Sequence, residues 1–321
     1  MFEGIYPPIP TPFDEHGALA LDRLAANIER WNAASSRPAL RSPRPEGVGS
    51  AVEGEAEGSG GLAGYVALGS NGEAPHVSLD EGARLVETTR RLALPSMTII
   101  AGTGQLSTWA TVEATRRLAQ AGADAVLVVT PFYFKNAMTA DALKRHFFAV
   151  ADASPAPVLI YNVPANTGFN IPAPVVPELA AHDNIVGIKD SAGDINQLAE
   201  MVRLTQGMEF EVLTGNYGAL LPAMTFGVRG AILAVANVAP AEVVALFEAA
   251  RAGRWPEAGE LHLRLLPIAR AVTSQYGVPG LKAALDALGF FGGVPRGPLL
   301  PASDAIRESI ENILREARLL T

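Results

Sequence analysis

The sequence contains no cysteine, which excludes disulfides, thiolate metal sites and a cysteine nucleophile and leaves the compartment open. Lysine is nearly as scarce: of 25 lysines and arginines only four are lysine, at positions 135, 144, 189 and 282. Arginine is therefore the general solubilising cation, and each lysine invites inspection. A formal net charge of -8 with no basic stripe argues against nucleic acid, whose phosphates need clustered cations. No apolar run approaches the roughly 18 to 20 residues of a membrane-spanning helix. The opening stretch Met1 to Pro8 has neither a basic n-region nor an apolar h-region, so a cytoplasmic protein is expected. The five histidines, at 16, 76, 146, 182 and 262, show no ligand spacing, and no metal is expected. There is no P-loop, no Gly-x-Gly-x-x-Gly after the first apolar run and no Gly-x-Ser-x-Gly elbow, which removes the usual nucleotide sites and a serine hydrolase.

What is present is alternation. Short β-branched runs at 5–8, 65–68, 98–101, 125–129, 158–161, 185–188, 211–213 and 231–234 are separated by amphipathic stretches near 20–33, 78–93, 107–121, 139–153, 173–182, 194–205, 216–226 and 239–252. Several of those stretches open on Ser, Thr, Asp or Asn in capping position. Eight such pairs in about 250 residues predict one α/β domain, a (β/α)8 TIM barrel over 1–252. A doubly wound open sheet is the runner-up. Further helical patterns near 255–275, 278–289 and 302–319 exceed what a barrel needs and predict an appended C-terminal helical region over 253–321. One segment breaks the pattern: 34–61, rich in Pro, Gly, Ser, Ala and Glu with few bulky apolar residues, is expected to be a disordered surface insertion, with a regulatory tether as the alternative.

Barrel chemistry gathers at the C-terminal ends of strands. Lys189 stands there, after the apolar run Ile185 to Ile188. An ammonium is costly to bury, and a neutral amine is what attacks a ketone to form an imine. Position alone leaves open a buried ion pair with Asp190. Tyr161 ends another strand, where a phenol could shuttle protons or simply fill core. The turn Gly69–Ser70–Asn71–Gly72–Glu73 offers backbone N–H groups and a hydroxyl to a carboxylate, although such turns are common.

Taken together, GIYPPIPTPF, the GSNGE turn, VVTPFY, IYNVPANTG and VGIKDSAGD resemble the dihydrodipicolinate synthase and N-acetylneuraminate lyase superfamily of class I, pyruvate-type aldolases, over about residues 4–300. The resemblance implies a metal-independent lyase with no cofactor beyond a covalent imine on Lys189, and Tyr161 as its acid/base. It implies Ser70 and Asn71 as the receivers of the oxo-acid carboxylate, Ser70 also joining a proton relay. It makes Tyr133 of TPFY a residue that enters a neighbouring subunit's site, hence a homotetramer; plain loop packing is the alternative. Members that act as dihydrodipicolinate synthases carry an arginine before Thr-Gly, where this chain has Asn166. An amide cannot replace a bidentate guanidinium, so the resemblance is read as closest to 4-hydroxy-2-oxoglutarate aldolases, cleaving a 2-oxo acid to pyruvate and an aldehyde such as glyoxylate. Asn166, Ser191 and Asn237 complete the expected substrate pocket, the last two with a purely strand-closing role as the alternative. Condensation of pyruvate with aspartate semialdehyde and a non-catalytic oxo-acid-binding barrel are the other functions considered.

Overall fold

A computed structural model of the chain describes residues 2–35 and 61–320. Its strands are β1 (Gly4–Tyr6), β2 (Gly64–Ala67), β3 (Thr98–Gly102), β4 (Ala125–Val129), β5 (Val158–Asn162), β6 (Ile185–Asp190), β7 (Glu211–Thr214) and β8 (Gly230–Ile232). From β2 to β8 each strand pairs in parallel with its sequence neighbours, and β1 pairs in parallel with β8. The remaining seam, between β1 and β2, is closed by a Pro8–Val66 bridge and by hydrogen bonds from Val66 N to Pro7 O (3.0 Å) and from Ile9 N to Val66 O (2.9 Å). The sheet is a barrel, as the alternation predicts, and the doubly wound alternative falls.

The barrel helices are α1 (Leu21–Ser35), α2 (Leu79–Leu92), α3 (Thr108–Gln120), α4 (Ala140–Ala153), the one-turn α5 (Pro164–Thr167), α6 (Val176–Ala180), α7 (Ile195–Leu204), α8 (Tyr217–Met224) and α9 (Pro240–Arg251). Side chains predicted as caps do cap: Ser78 forms a capping box with Glu81, and Ser107, Thr139, Asp194 and Asn216 accept from first-turn N–H groups. The stretch expected to be one helix over 173–182 is instead a 3-10 turn, Ala173–Val175, running into the five-residue α6. Pro172, Pro174 and Pro177 each lack the N–H a longer α-helix would need. The expected insertion over 34–61 overlaps α1 at Ala34 and Ser35, and its residues 36–60 lie outside the described residues.

Beyond α9 come α10 (Trp255–Arg270), a wider π-turn (Ala271–Gln275), α11 (Gly277–Ala287) and α12 (Asp304–Glu316). The expected helix over 255–275 thus changes pitch near its end, four residues past Pro267, whose ring denies one i to i−4 bond. These helices share the barrel's core: Leu265, Ile268, Leu281 and Ile310 join one buried cluster with Leu24, Trp31 and Leu233. None of the described helices is long and apolar enough to cross a membrane.

Inside the barrel a second set of side chains meets, among them Tyr6, Val66, Ile100, Leu127, Leu159, Leu213 and Ile232, with Tyr161 at one end. The β5–β6 register carries an irregularity that matters. Val158 pairs with Ile185, but Leu159 pairs with Gly187, so Val186 is an extra residue on β6. With an unbroken register from the Val158–Ile185 pair Tyr161 would face Ile188; with the irregularity it faces Lys189.

His146 of α4 is buried beside α3, its Nδ1 3.0 Å from the Thr108 hydroxyl, and burial pushes its imidazole down to about 4. Between about pH 4 and the ordinary value near 6.5 the unfolded chain then binds the extra proton, so stability must fall as pH is lowered through that window. The full effect is at most about 3 kcal/mol at about 1.4 kcal/mol per unit. Urea denaturation across that window should show the loss in the natural protein and a flatter profile in His146→Gln; parallel profiles would exclude His146 as the cause.

Candidate active site

The C-terminal ends of β5 and β6 set the geometry. Tyr161 and Lys189 lie side by side, and the Lys189 Nζ sits 4.0 Å from the centroid of the Tyr161 ring. Both are almost wholly buried, Lys189 at 3% exposure. The carboxylate next in sequence does not neutralise the amine. Asp190 is turned to Asn162, which donates to it at 2.6 Å, and to Gln197 at 3.3 Å, and Lys189 makes no ion pair among the described residues. The ion-pair alternative for Lys189 is therefore not what the structure holds. Burial pushes the Asp190 carboxyl up, against the hydrogen bonds from Asn162, Ala192 and Gln197.

Space for the lysine comes from Gly215, at the end of β7. A Cβ there would stand 1.9 Å from Ser191 Oγ and 2.7 Å from Lys189 Cε, so any side chain would displace the amine. The sequence reading passed over this glycine, although it follows a strand end.

Tyr161 is linked outward through hydroxyls. Its OH lies 3.2 Å from Ser70 Oγ, and the Asn166 amide donates to the same Oγ at 3.2 Å. Burial alone would raise the phenol, but the Lys189 ammonium, then hydrogen bonding with Ser70, Lys189 and Ser191, outweighs it and holds Tyr161 below its ordinary value. A phenol so placed can yield and recover a proton beside a carbon bound to Lys189.

The turn that presents Ser70 and Asn71 is pinned from the C-terminal region. Glu73, in the left-handed conformation at φ 53°, forms a buried ion pair with Lys282 of α11 at 2.8 Å. Lys282 also donates to Thr11 O (2.9 Å) and Val294 O (2.8 Å), and Glu73 accepts the Arg296 N–H at 2.8 Å. Thr11 closes the loop by donating to Gly72 O at 2.6 Å. Burial pushes the Lys282 ammonium down, against the opposing pull of Glu73.

Six of the sequence-predicted residues, Ser70, Asn71, Tyr161, Asn166, Lys189 and Ser191, line one cavity of about 760 Å³. Two do not. Asn237 is fully buried away from it, its amide donating to Pro8 O (3.1 Å) and Ala234 O (3.0 Å); it ties together the segments that follow β1 and β8 and is not among the lining residues of that cavity. Tyr133 is 72% exposed on the loop after β4, edge-on to Phe134 with ring centroids 5.0 Å apart. The far wall of the cavity was missed from sequence: Leu266, Arg270, Thr273 and Ser274 come from α10 and the π-turn, in a region read only as appended. Among the described residues no group of three or more His, Asp and Glu could hold a metal ion.

Comparison with known proteins agrees with this geometry. Residues 57–317 match the profile of the Dihydrodipicolinate synthetase family. The 4-hydroxy-tetrahydrodipicolinate synthase of Methanospirillum hungatei is 34% identical over 316 residues, 98% of this chain and 99% of that protein. Its counterpart in an Exiguobacterium species is 37% identical over 304 residues, 94% of each. The dihydrodipicolinate synthase of Thermotoga maritima superposes with a TM-score of 0.87 at 31% identity, covering 100% of both chains. That of Acinetobacter baumannii, solved in complex with pyruvate, gives a TM-score of 0.87 at 28% identity, again over 100% of both.

Two predictions test the electrostatics. Lys282→Met strands the buried Glu73 carboxylate and should cost about 3 to 5 kcal/mol in chemical denaturation, with a large part recovered in Glu73→Gln/Lys282→Met; equal losses in the single and double variants would deny the pair its role. In Lys189→Met the Tyr161 phenol loses its cation and should titrate at higher pH than in the natural protein, as read by phenolate ultraviolet absorbance. An unshifted titration would show that Lys189 does not set it.

Proposed function

Because this chain belongs to the dihydrodipicolinate synthetase family, we propose that it joins pyruvate to an aldehyde through an imine on Lys189, as a 4-hydroxy-tetrahydrodipicolinate synthase acting on aspartate semialdehyde. The observation that carries this reading is a buried amine, with no carboxylate partner among the described residues, beside a phenol whose hydroxyl reaches Ser70. It is a Schiff-base lyase chemistry, independent of metal.

The Lys189 amine adds to the C2 ketone of pyruvate and water leaves, with Tyr161 supplying and recovering the protons. The iminium withdraws electrons from C3, which gives a proton to the Tyr161 oxygen and becomes the nucleophilic enamine carbon. That carbon attacks the aldehyde, a C–C bond forms, and the new alkoxide takes a proton from Tyr161. The amine of aspartate semialdehyde can then displace Lys189 at C2, closing the ring and freeing the enzyme. The Ser70–Asn71 turn would receive the pyruvate carboxylate through its N–H groups.

The sequence reading favoured the reverse reaction, cleavage of 4-hydroxy-2-oxoglutarate to pyruvate and glyoxylate. The names of the relatives favour the synthase instead. Asn166, which brings an amide and no positive charge, keeps the cleavage reading as the second one. Tyr133 is assigned to the site of a neighbouring copy in a tetramer, and its exposed ring supports that assignment.

Borohydride reduction in the presence of pyruvate should leave an adduct confined to the Lys189 peptide and absent from Lys189→Ala. Tyr161→Phe should lower kcat by about 10²- to 10⁴-fold. No adduct on the folded natural protein would remove the imine mechanism and leave a binding barrel. Rates with pyruvate plus aspartate semialdehyde, set against cleavage of 4-hydroxy-2-oxoglutarate, decide between the two substrates.

A further inference from the structure

We propose that Arg270, carried by α10, receives the carboxylate at the far end of the substrate and so selects acidic carbon chains over neutral ones. This deepens the reading above and rests on it.

Charge on the cavity wall is sparse and of one sign. Among the described residues its lining holds two cations, Lys189 and Arg270, and no carboxylate. Lys189 is committed to the ketone carbon, and the first carboxylate has the Ser70–Asn71 turn. A second carboxylate then meets one remaining cation among the lining residues. Both substrate readings carry such a carboxylate, on the semialdehyde half of one and at the far carbon of the other. Asn166 cannot neutralise it, because it offers a neutral amide that already donates to Ser70 Oγ at 3.2 Å.

Arg270 is also free to act. Arg203, Arg251, Arg254, Arg296 and Arg315 are each held by a carboxylate. The Arg270 guanidinium has no ion pair and no hydrogen bond among the described residues, although it borders a large cavity. The backbone accounts for where it stands. Arg270 is the last residue of α10, and the π-turn that follows brings Thr273 and Ser274 to the same wall. The Thr273 hydroxyl is already spent on Ala269 O at 2.6 Å, while Ser274 is exposed beside the guanidinium's helix end and can add one donor. A planar guanidinium matches a carboxylate in two parallel hydrogen bonds, which a lysine ammonium cannot reproduce.

Trapping with two 2-oxo acids of equal carbon number tests this without either natural aldehyde. The probes are 2-oxoglutarate, which ends in a carboxylate, and 2-oxopentanoate, which does not. Half-trapping concentrations under borohydride are read by mass spectrometry for the natural protein, Arg270→Gln and Arg270→Lys. The natural protein should prefer 2-oxoglutarate, and Arg270→Gln should erase that preference by about ten- to a hundredfold, the worth of a hydrogen-bonded charge pair. Arg270→Lys should recover part of it. No preference in the natural protein, an unchanged preference in Arg270→Gln, or an equal loss for both acids overturns the proposal. Pyruvate in the same samples separates the failures: trapped pyruvate with selectivity indifferent to Arg270 sinks this inference alone. No trapping of pyruvate by the natural protein sinks the imine reading and this inference with it.

Discussion

A primary amine kept out of water, with no carboxylate among the described residues to neutralise it, sets the terms for the whole upper end of this barrel. Left alone, such a group would be a steep desolvation penalty. Here the compensation is a ring face and a hydroxyl chain: Lys189 lies against Tyr161, and Tyr161 reaches Ser70. These partners steady the charge without fixing it, as a covalent role for the nitrogen demands. Asp190, the obvious counter-ion, is drawn off by Asn162 and Gln197. The carboxylate is thereby kept from closing on the amine.

The other buried lysine shows the opposite solution. Lys282 is fully satisfied by Glu73 and two carbonyl oxygens, and it is there to hold backbone in place. Through Glu73 it joins α11 to the turn that carries Ser70 and Asn71. The C-terminal helices are therefore part of the site twice over, fixing one wall and forming another. Burial alone does not mark a reactive lysine; burial without an acidic neighbour does.

Much of this was readable from residue order. Eight β-branched runs separated by capped amphipathic stretches specify the barrel, because each period can bury its apolar face in only one layer. Lys189 and Tyr161 stood out because both end strands whose preceding residues are wholly apolar. What escaped has a common cause. Asn237 also follows a strand, yet it turns back to the carbonyls of Pro8 and Ala234, and only three-dimensional closure of the β1–β8 seam decides that. Arg270 sits some eighty residues after Lys189 in an amphipathic helix, where an exposed arginine is the most ordinary residue. Gly215 was unremarkable until the Lys189 chain was seen to need its missing Cβ. The substrate assignment went further than one departure at Asn166 could carry, since charge can be supplied from another element.

The extra residue in β6 carries a lesson about length. Val186 shifts the strand by one position, and that shift is what brings an amine rather than an isoleucine to the phenol. The chemistry thus depends on a count of residues as much as on their kinds. The same β6 residues paired without that irregularity from the same Val158–Ile185 start would conserve every side chain, keep the apolar character of the strand, and turn the lysine toward the surrounding helices. Which face a strand turns inward is therefore set by where its pairing slips as much as by the residues it is made of.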